Sequence, residues 1–274
     1  MQSLLKIEWL KIKNYTAFKV LGIFFVMGIV LVNYIVMLVN KKVVNQIQSG
    51  GLLNVFNPYS FENTWQTTSY TTGYLLILPA MLLIILITNE FTFRTSRQNI
   101  IDGWSRSQFV EVKLMLGLII AVLSTVMVFL TAFLFGLFSG TDFSLNGFDH
   151  VGFFFLKAFS YNMIAVLISV LVRRTGFAIG LYFIYLGFEN ILSQLLDVWS
   201  MKIKLDTGTD LGSMGDYLPM NASDGLLAFP DNPLKSMAKA ALPTDYFWIV
   251  ISLVAVYLVL FIWFSRRRFI HSDL

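Results

Sequence analysis

NEFTFRTSRQNIIDGWSRSQFVEVK, residues Asn89–Lys113, is a polar island between two long apolar runs. It carries seven charges: Glu90, Arg94, Arg97, Asp102, Arg106, Glu111 and Lys113. Ser69–Ile87 before it and Leu114–Phe138 after it carry none. Each flank approaches or exceeds the roughly 20 apolar residues needed to cross a bilayer core. The island therefore reads as an extramembrane connection between two spans. A chain that only sat in lipid would not need so organised a connection, so the island is expected to meet something in the water.

The whole chain supports that reading. Hydrophobic residues make up 57% of the 274 and charged residues 13%, with a mean hydropathy of +0.71. No soluble domain hides that much apolar surface. Six runs are long enough to span: residues 20–39, 69–87, 114–138, 151–172, 177–198 and 246–264. The expected fold class is an all-α polytopic membrane protein, a single transmembrane domain over residues 1–274. The first run follows a basic stretch, is long and has no A-x-A cleavage pattern, so it reads as a retained anchor. Cysteine is absent, which removes disulfides, thiol chemistry and Cys-based metal sites.

Lys and Arg set the orientation. With a cytoplasmic N-terminus, 13 of the 20 fall in inside segments, among them Lys6, Lys11, Lys13, Lys19, Arg173, Arg174 and Arg266–Arg268. Both termini are expected to be cytoplasmic, in a plasma (inner) membrane. Residues 1–19 alternate apolar and basic positions, with Leu5, Trp9 and Ile12 on one helical stripe. They read as an interfacial helix on the cytoplasmic leaflet or as a basic flank that only fixes topology. Residues 40–68 read as an outer loop with a Gly50–Gly51 break. Residues 201–244 read as short helices and turns lying on the outer surface. Pro79 in the second span predicts a kink.

Inside the island, Thr95 and Gln98 have capping-box spacing, as do Ser105 and Gln108. Asp102–Gly103 supplies a stop, with glycine suited to a left-handed cap. A short helix over 95–102, a break and a launch into the third span are expected. A capped, basic helix with Ile100, Ile101 and Trp104 for apolar contact suits docking in a partner's groove; the alternative is a solvated loop carrying positive-inside charge.

Enzymatic motifs are missing. There is no G-x-x-x-x-G-K-[ST] phosphate loop, so ATP hydrolysis is not expected on this chain. There is no H-E-x-x-H, and His150 and His271 fall on opposite sides of the expected membrane, too far apart to share a metal. Neither a catalytic site nor a bound cofactor or metal is expected, and no nucleic acid.

Polar residues also lie at membrane depth. Glu189, in the fifth span, occupies a position where a charge costs roughly 2.5–3.5 kcal/mol on insertion scales. Glu189 and Asn190 line a pathway or a dimer seam, or else Glu189 is hydrogen-bonded by Asn190, Tyr185 or Asn162 and holds the bundle together. Asn33 in the first span is a further candidate for the same seam and suits interhelical hydrogen bonding. Lys157 is near enough to the outer face to snorkel, with Glu189 as an alternative partner.

The arrangement resembles the permease subunit of ABC-2-type ABC transporters. That family has an N-terminal interfacial helix, six spans and a cytoplasmic coupling helix between spans two and three. Its coupling region has a glutamate ending span two, a Gly-Thr stretch, a hydrophobic helix, Ser-Arg, and a Lys opening span three. Glu90, Thr95, Ile100–Ile101, Ser105–Arg106 and Lys113 occupy those places here, while Arg94 stands where the family often has Gly. The resemblance implies an exporter in which ATP and Mg are bound by a separate ATPase subunit. It also implies a second permease copy, identical or related. Glu90, Arg94, Thr95, Arg97, Ile100, Ile101 and Arg106 would then couple to the ATPase. Two other classes stay open: an ATPase-independent six-span channel or secondary transporter, and a membrane scaffold in a secretion or motility complex.

Overall fold

The computed structural model describes residues 2–48, 57–230 and 246–271. Among these residues every regular element is helical. The α-helices are α1 (Gln2–Ile12), α2 (Thr16–Gln48), α3 (Phe61–Gly73), α4 (Ile77–Thr92), α5 (Thr95–Ile101), α6 (Arg106–Leu137), α7 (Asp149–Val172), α8 (Thr175–Thr207), α9 (Asn221–Gly225) and α10 (Phe247–Ile270). Six stretches are long and apolar enough to cross a membrane, the second built from α3 and α4 together.

Those six overlap the six expected runs but extend past several of their bounds. α2 runs on to Gln48 and α3 begins at Phe61, so much of the expected outer loop is helical. The Gly50–Gly51 break lies outside the described residues. α8 likewise continues to Thr207. A 3-10 turn, Tyr74–Leu76, separates α3 from α4. Pro79 explains it: its ring crowds the carbonyl of Leu75 and offers it no N–H. The helix restarts at Ile77, which leaves Pro79 in a first turn, where a missing N–H is tolerated.

α7 is the central helix, packing on α6, α4 and α10. Of its most apolar window 67% is buried, against 17% for α2 and α8. The core along it includes Phe154, Ala158, Met163, Ile164 and Val166, met by Leu83, Ile84 and Ile87 from α4. The exposed sides of α2 and α8 are apolar too, with Phe24, Met27, Ile184, Phe188 and Ile191 outward. A helix apolar all round belongs in lipid or inside an assembly.

Polar groups hold the helices in register. Asn33 is fully buried. Its Nδ2 donates to Thr72 Oγ1 at 3.2 Å, and its Oδ1 accepts from Thr71 and Tyr59 at 2.8 and 3.1 Å. It joins α2 to α3, as suits a polar side chain between helices in lipid. The turn between α6 and α7 is pinned at the opposite end of the bundle from the island, where Trp65 Nε1 donates to Ser144 O at 2.9 Å.

The segment after α8, expected to lie on the outer surface, departs from expectation. It does not simply lie on the surface: Met220, Ala222, Leu226 and Leu227 are buried in the main core. Two charges draw it in. Glu189 is buried, and its Oε1 accepts from the backbone N–H of Met220 and, at 2.9 Å, from that of Asn221. Lys157 does not snorkel. It is buried and pairs with Asp224 of α9 at 3.2 Å rather than with Glu189. Tyr161 Oη also donates to Asp224, at 3.1 Å. Of the expected partners of Glu189, Tyr185 is hydrogen-bonded to it, whereas Asn162 donates to Gly117 O and Asn190 is exposed and accepts from Gln194. Residues 231–244 of this segment lie outside the described residues.

Candidate functional site

The island folds into a strap. α4 ends at Thr92, α5 occupies Thr95–Ile101 and α6 starts at Arg106. The exit from α5 follows the expected stop. Gly103 has φ +102; its N–H reaches Ile100 O, and that of Trp104 reaches Asn99 O at 3.0 Å. This is the paired closure of a Schellman cap, with glycine at the left-handed position. The launch into α6 is also as expected: Ser105 Oγ accepts from Gln108 N, and the Gln108 side chain accepts from Ser105 N.

The first capping box is not formed. Arg94 is the N-cap of α5, in the left-handed conformation with φ 57 and ψ 16. Thr95 is thereby inside the helix, and its Oγ1 donates back to Glu90 O at 3.4 Å. Gln98 donates instead to Asp102 Oδ1 at 3.0 Å. The tight reversal after α4 demands a left-handed residue one position before Thr95, which moves the cap off the threonine. Arg94, the position where the resemblance has glycine, is that residue.

Beneath the strap lies a group of four charges, three of them buried. Lys113 Nζ is 2.6 Å from Glu8 Oε2 and 2.8 Å from Glu90 Oε1. Lys11 Nζ bridges the same carboxylates, 3.0 Å from Glu8 Oε1 and 3.3 Å from Glu90 Oε1. Glu8, Glu90 and Lys113 are each buried. The two carboxylates and two ammoniums balance, which is what makes such burial tolerable. Burial alone would raise the Glu8 carboxyl, but Lys113 and Lys11 outweigh it and hold it below the usual range. Burial would lower Lys11, but Glu90 and Glu8 outweigh it and hold it above its ordinary value.

This group fastens α1 to the end of α4 and the start of α6. Lys11 also sits 5.7 Å from the Trp104 ring centre. Asn89 Nδ2 donates to Tyr15 Oη between α1 and α2, adding a second tie. The C-terminal helix joins from the other side, where Phe109 and Phe269 stack at 4.7 Å and Arg106 donates to Ile270 O at 3.0 Å. Both ends of the described chain therefore meet the strap at one end of the bundle.

The seven residues expected to meet a partner do not share one environment. Ile101 is 78% exposed, and Arg94, Thr95, Arg97 and Arg106 face solvent. Ile100 is half-buried and Glu90 is buried. Glu90 thus anchors the strap rather than forming its surface. Glu8 was not singled out from the sequence, although it is the only carboxylate before Glu62 in a segment otherwise rich in lysine. Glu189, Asn190 and Asn33 do not converge: Glu189 holds α9, Asn33 holds α3, and Asn190 points outward.

No His, Asp or Glu cluster able to hold a metal occurs among the described residues. What the arrangement offers is mechanical: a short exposed helix whose two ends are clamped to helices that run the depth of the bundle. Comparison with protein-family models and with curated proteins returns no match for this chain.

Proposed function

We propose that the chain is the membrane-spanning permease subunit of an ABC transporter of the ABC-2 type, and that it works as an exporter. The observation that carries the reading is α5. It is a short helix with Arg94, Arg97 and Ile101 facing solvent, closed by a Schellman cap, and clamped to α4 and α6 through the Glu90–Lys113 pair. In this reading α5 is the coupling helix and α1 the interfacial helix. Both termini are cytoplasmic, in a plasma (inner) membrane, and a second permease copy packs alongside.

ATP and Mg belong to a partner ATPase seated on α5. Closure of that partner pushes on α5, and the charge group passes the displacement to α1, α4 and α6. A packed ion-pair group transmits such motion because its members have few alternative positions. The partner shifts the permease only by as much as it binds one state better than the other. Glu189, the ionisable group that an ATPase-independent carrier would use, is engaged in holding α9, which weighs against that alternative.

The test is purification of the chain from its native membrane and identification of what comes with it. A phosphate-loop ATPase that is retained by the intact chain and lost with Arg97→Glu/Ile101→Asp supports the proposal. An ATPase retained equally by the variant, or transport by the purified chain alone on an ion gradient, overturns it.

A further inference from the structure

A cavity of about 230 Å³ opens between the ends of α4 and α7 and the starts of α5 and α8. Seven residues line it: Phe91, Arg94, Ser96, Arg97, Val172, Arg173 and Arg174. Four of the seven are arginines, and none of the described residues that line it is acidic. Arginine's planar fork matches the oxygens of a phosphate better than a point charge does. Cations grouped around one cleft also concentrate the field there.

Backbone geometry singles out the same place. Only two non-glycine residues among those described have positive φ, Arg94 at 57 and Arg173 at 55, and both line this cavity. Glycine adopts that conformation without the steric penalty of a Cβ. Strain of this kind persists where the surroundings or a function demand it. Arg173 is steered further by Phe91, whose ring centre lies 5.3 Å from its guanidinium. Depth matters too. The cavity sits where the apolar lengths of α4 and α7 end and that of α8 begins; for helices that cross a bilayer, such ends come near the headgroups.

We propose that Arg94, Arg97, Arg173 and Arg174 form a binding site for a phosphate-bearing anion, namely the phosphodiester of an anionic lipid headgroup or free phosphate. An anion here would bridge the strap, through Arg94 and Arg97, to the turn between α7 and α8. It would make the position of α5 sensitive to what occupies the cavity. The inference stands apart from the ATPase reading, since binding is measured on the purified chain with no ATPase present.

The test compares the intact chain with Arg94→Gly/Arg173→Gly, which removes two charges while relaxing both left-handed positions, so that loss of fold does not obscure the result. Arg267→Gln/Arg268→Gln, at the same end of the bundle but outside the cavity, is the control for general charge. One arm measures retention of phosphatidylglycerol against phosphatidylcholine by native mass spectrometry of detergent-purified protein. The other titrates inorganic phosphate by calorimetry. The site predicts about a fivefold loss of affinity for each arginine removed, in at least one arm, with the control nearly unchanged. A signal in the lipid arm alone identifies a headgroup, and one in the phosphate arm alone identifies the free anion. No binding in either arm, or equal losses in the cavity and control variants, overturns the proposal.

Discussion

The Glu90 carboxylate lies 2.8 Å from the Lys113 ammonium, one at the end of α4 and the other near the start of α6. They are 23 positions apart in sequence, and the stretch between them holds the whole of α5. The strap is therefore closed at its base by a buried ion pair, which Glu8 and Lys11 of α1 complete.

Lys113 is the member whose loss matters most. Lys113→Met strands Glu8 and Glu90 without their shared buried cation, and breaking such a group costs about 3–5 kcal/mol. Lys11 has a side chain 35% exposed, and Lys11→Met is expected to cost about 1 kcal/mol or less. Thermal unfolding in detergent should show a large drop in Tm for the first and a small one for the second. The triple variant Glu8→Gln/Glu90→Gln/Lys113→Met should recover much of the loss. Equal drops for Lys113→Met and Lys11→Met would mean the group does not hold the strap.

The same group predicts a pH window. The folded-state Glu8 value is lowered from 4.5, so its contribution is present above that value and is lost as pH falls through the lower folded value. The Lys11 value is raised from 10.5, so its contribution is present below that value and is lost as pH rises through the higher folded one. Tm contributed by this group should be flat between about pH 4.5 and 10.5 and fall outside it. Glu8→Gln should flatten the acidic limb; an unchanged acidic limb would contradict the assignment.

Arg94 separates backbone strain from side-chain role. A left-handed non-glycine residue costs about 1–3 kcal/mol. Arg94→Gly should therefore leave Tm unchanged or raise it, while Arg94→Ile should lower it, because a β-branched residue fits this conformation worst. If the charge at Arg94 serves partner docking, Arg94→Gly weakens ATPase association despite its intact fold. A fall in Tm for Arg94→Gly would show that the strap does not need the left-handed turn.

Glu189 is predicted to act on the segment that follows α8. Glu189→Ala leaves the buried N–H of Met220 and the half-buried N–H of Asn221 without their acceptor, at about 1–3 kcal/mol. Glu189→Gln keeps an acceptor and should cost less. Limited proteolysis should cut residues 201–230 faster in the alanine variant. Unchanged protection alongside lost transport would instead return Glu189 to a transport pathway.

Much of the helical architecture was legible because apolar runs of spanning length have few other uses, and each of the six overlaps a helix long enough to cross. The stop at Asp102–Gly103 and the Ser105–Gln108 box were legible because both are local patterns. The Thr95 cap was not, since the reversal after α4 is set by how α4 and α5 pack, and it moved the left-handed residue to Arg94. The charge group was hidden for a different reason. Glu8, Glu90 and Lys113 come from three segments, and no local pattern records which distant charges will be buried together. The lone carboxylate in a lysine-rich segment was the available signal. The inward fold of the segment after α8 escaped because Glu189 binds backbone N–H groups, a partner that sequence leaves unmarked.

The central claim is that α5 is the surface on which an ATPase sits, and its most direct test is site-specific crosslinking. A photoreactive residue replaces Ile101, the most exposed apolar side chain of α5, and the chain is irradiated in its native membrane with a non-hydrolysable ATP analogue. The account predicts a crosslinked phosphate-loop ATPase whose yield falls with Arg97→Glu and which is not obtained from a photoreactive residue at Phe143, at the opposite end of the bundle. No ATPase at Ile101, or the same ATPase at equal yield from both positions, would contradict it.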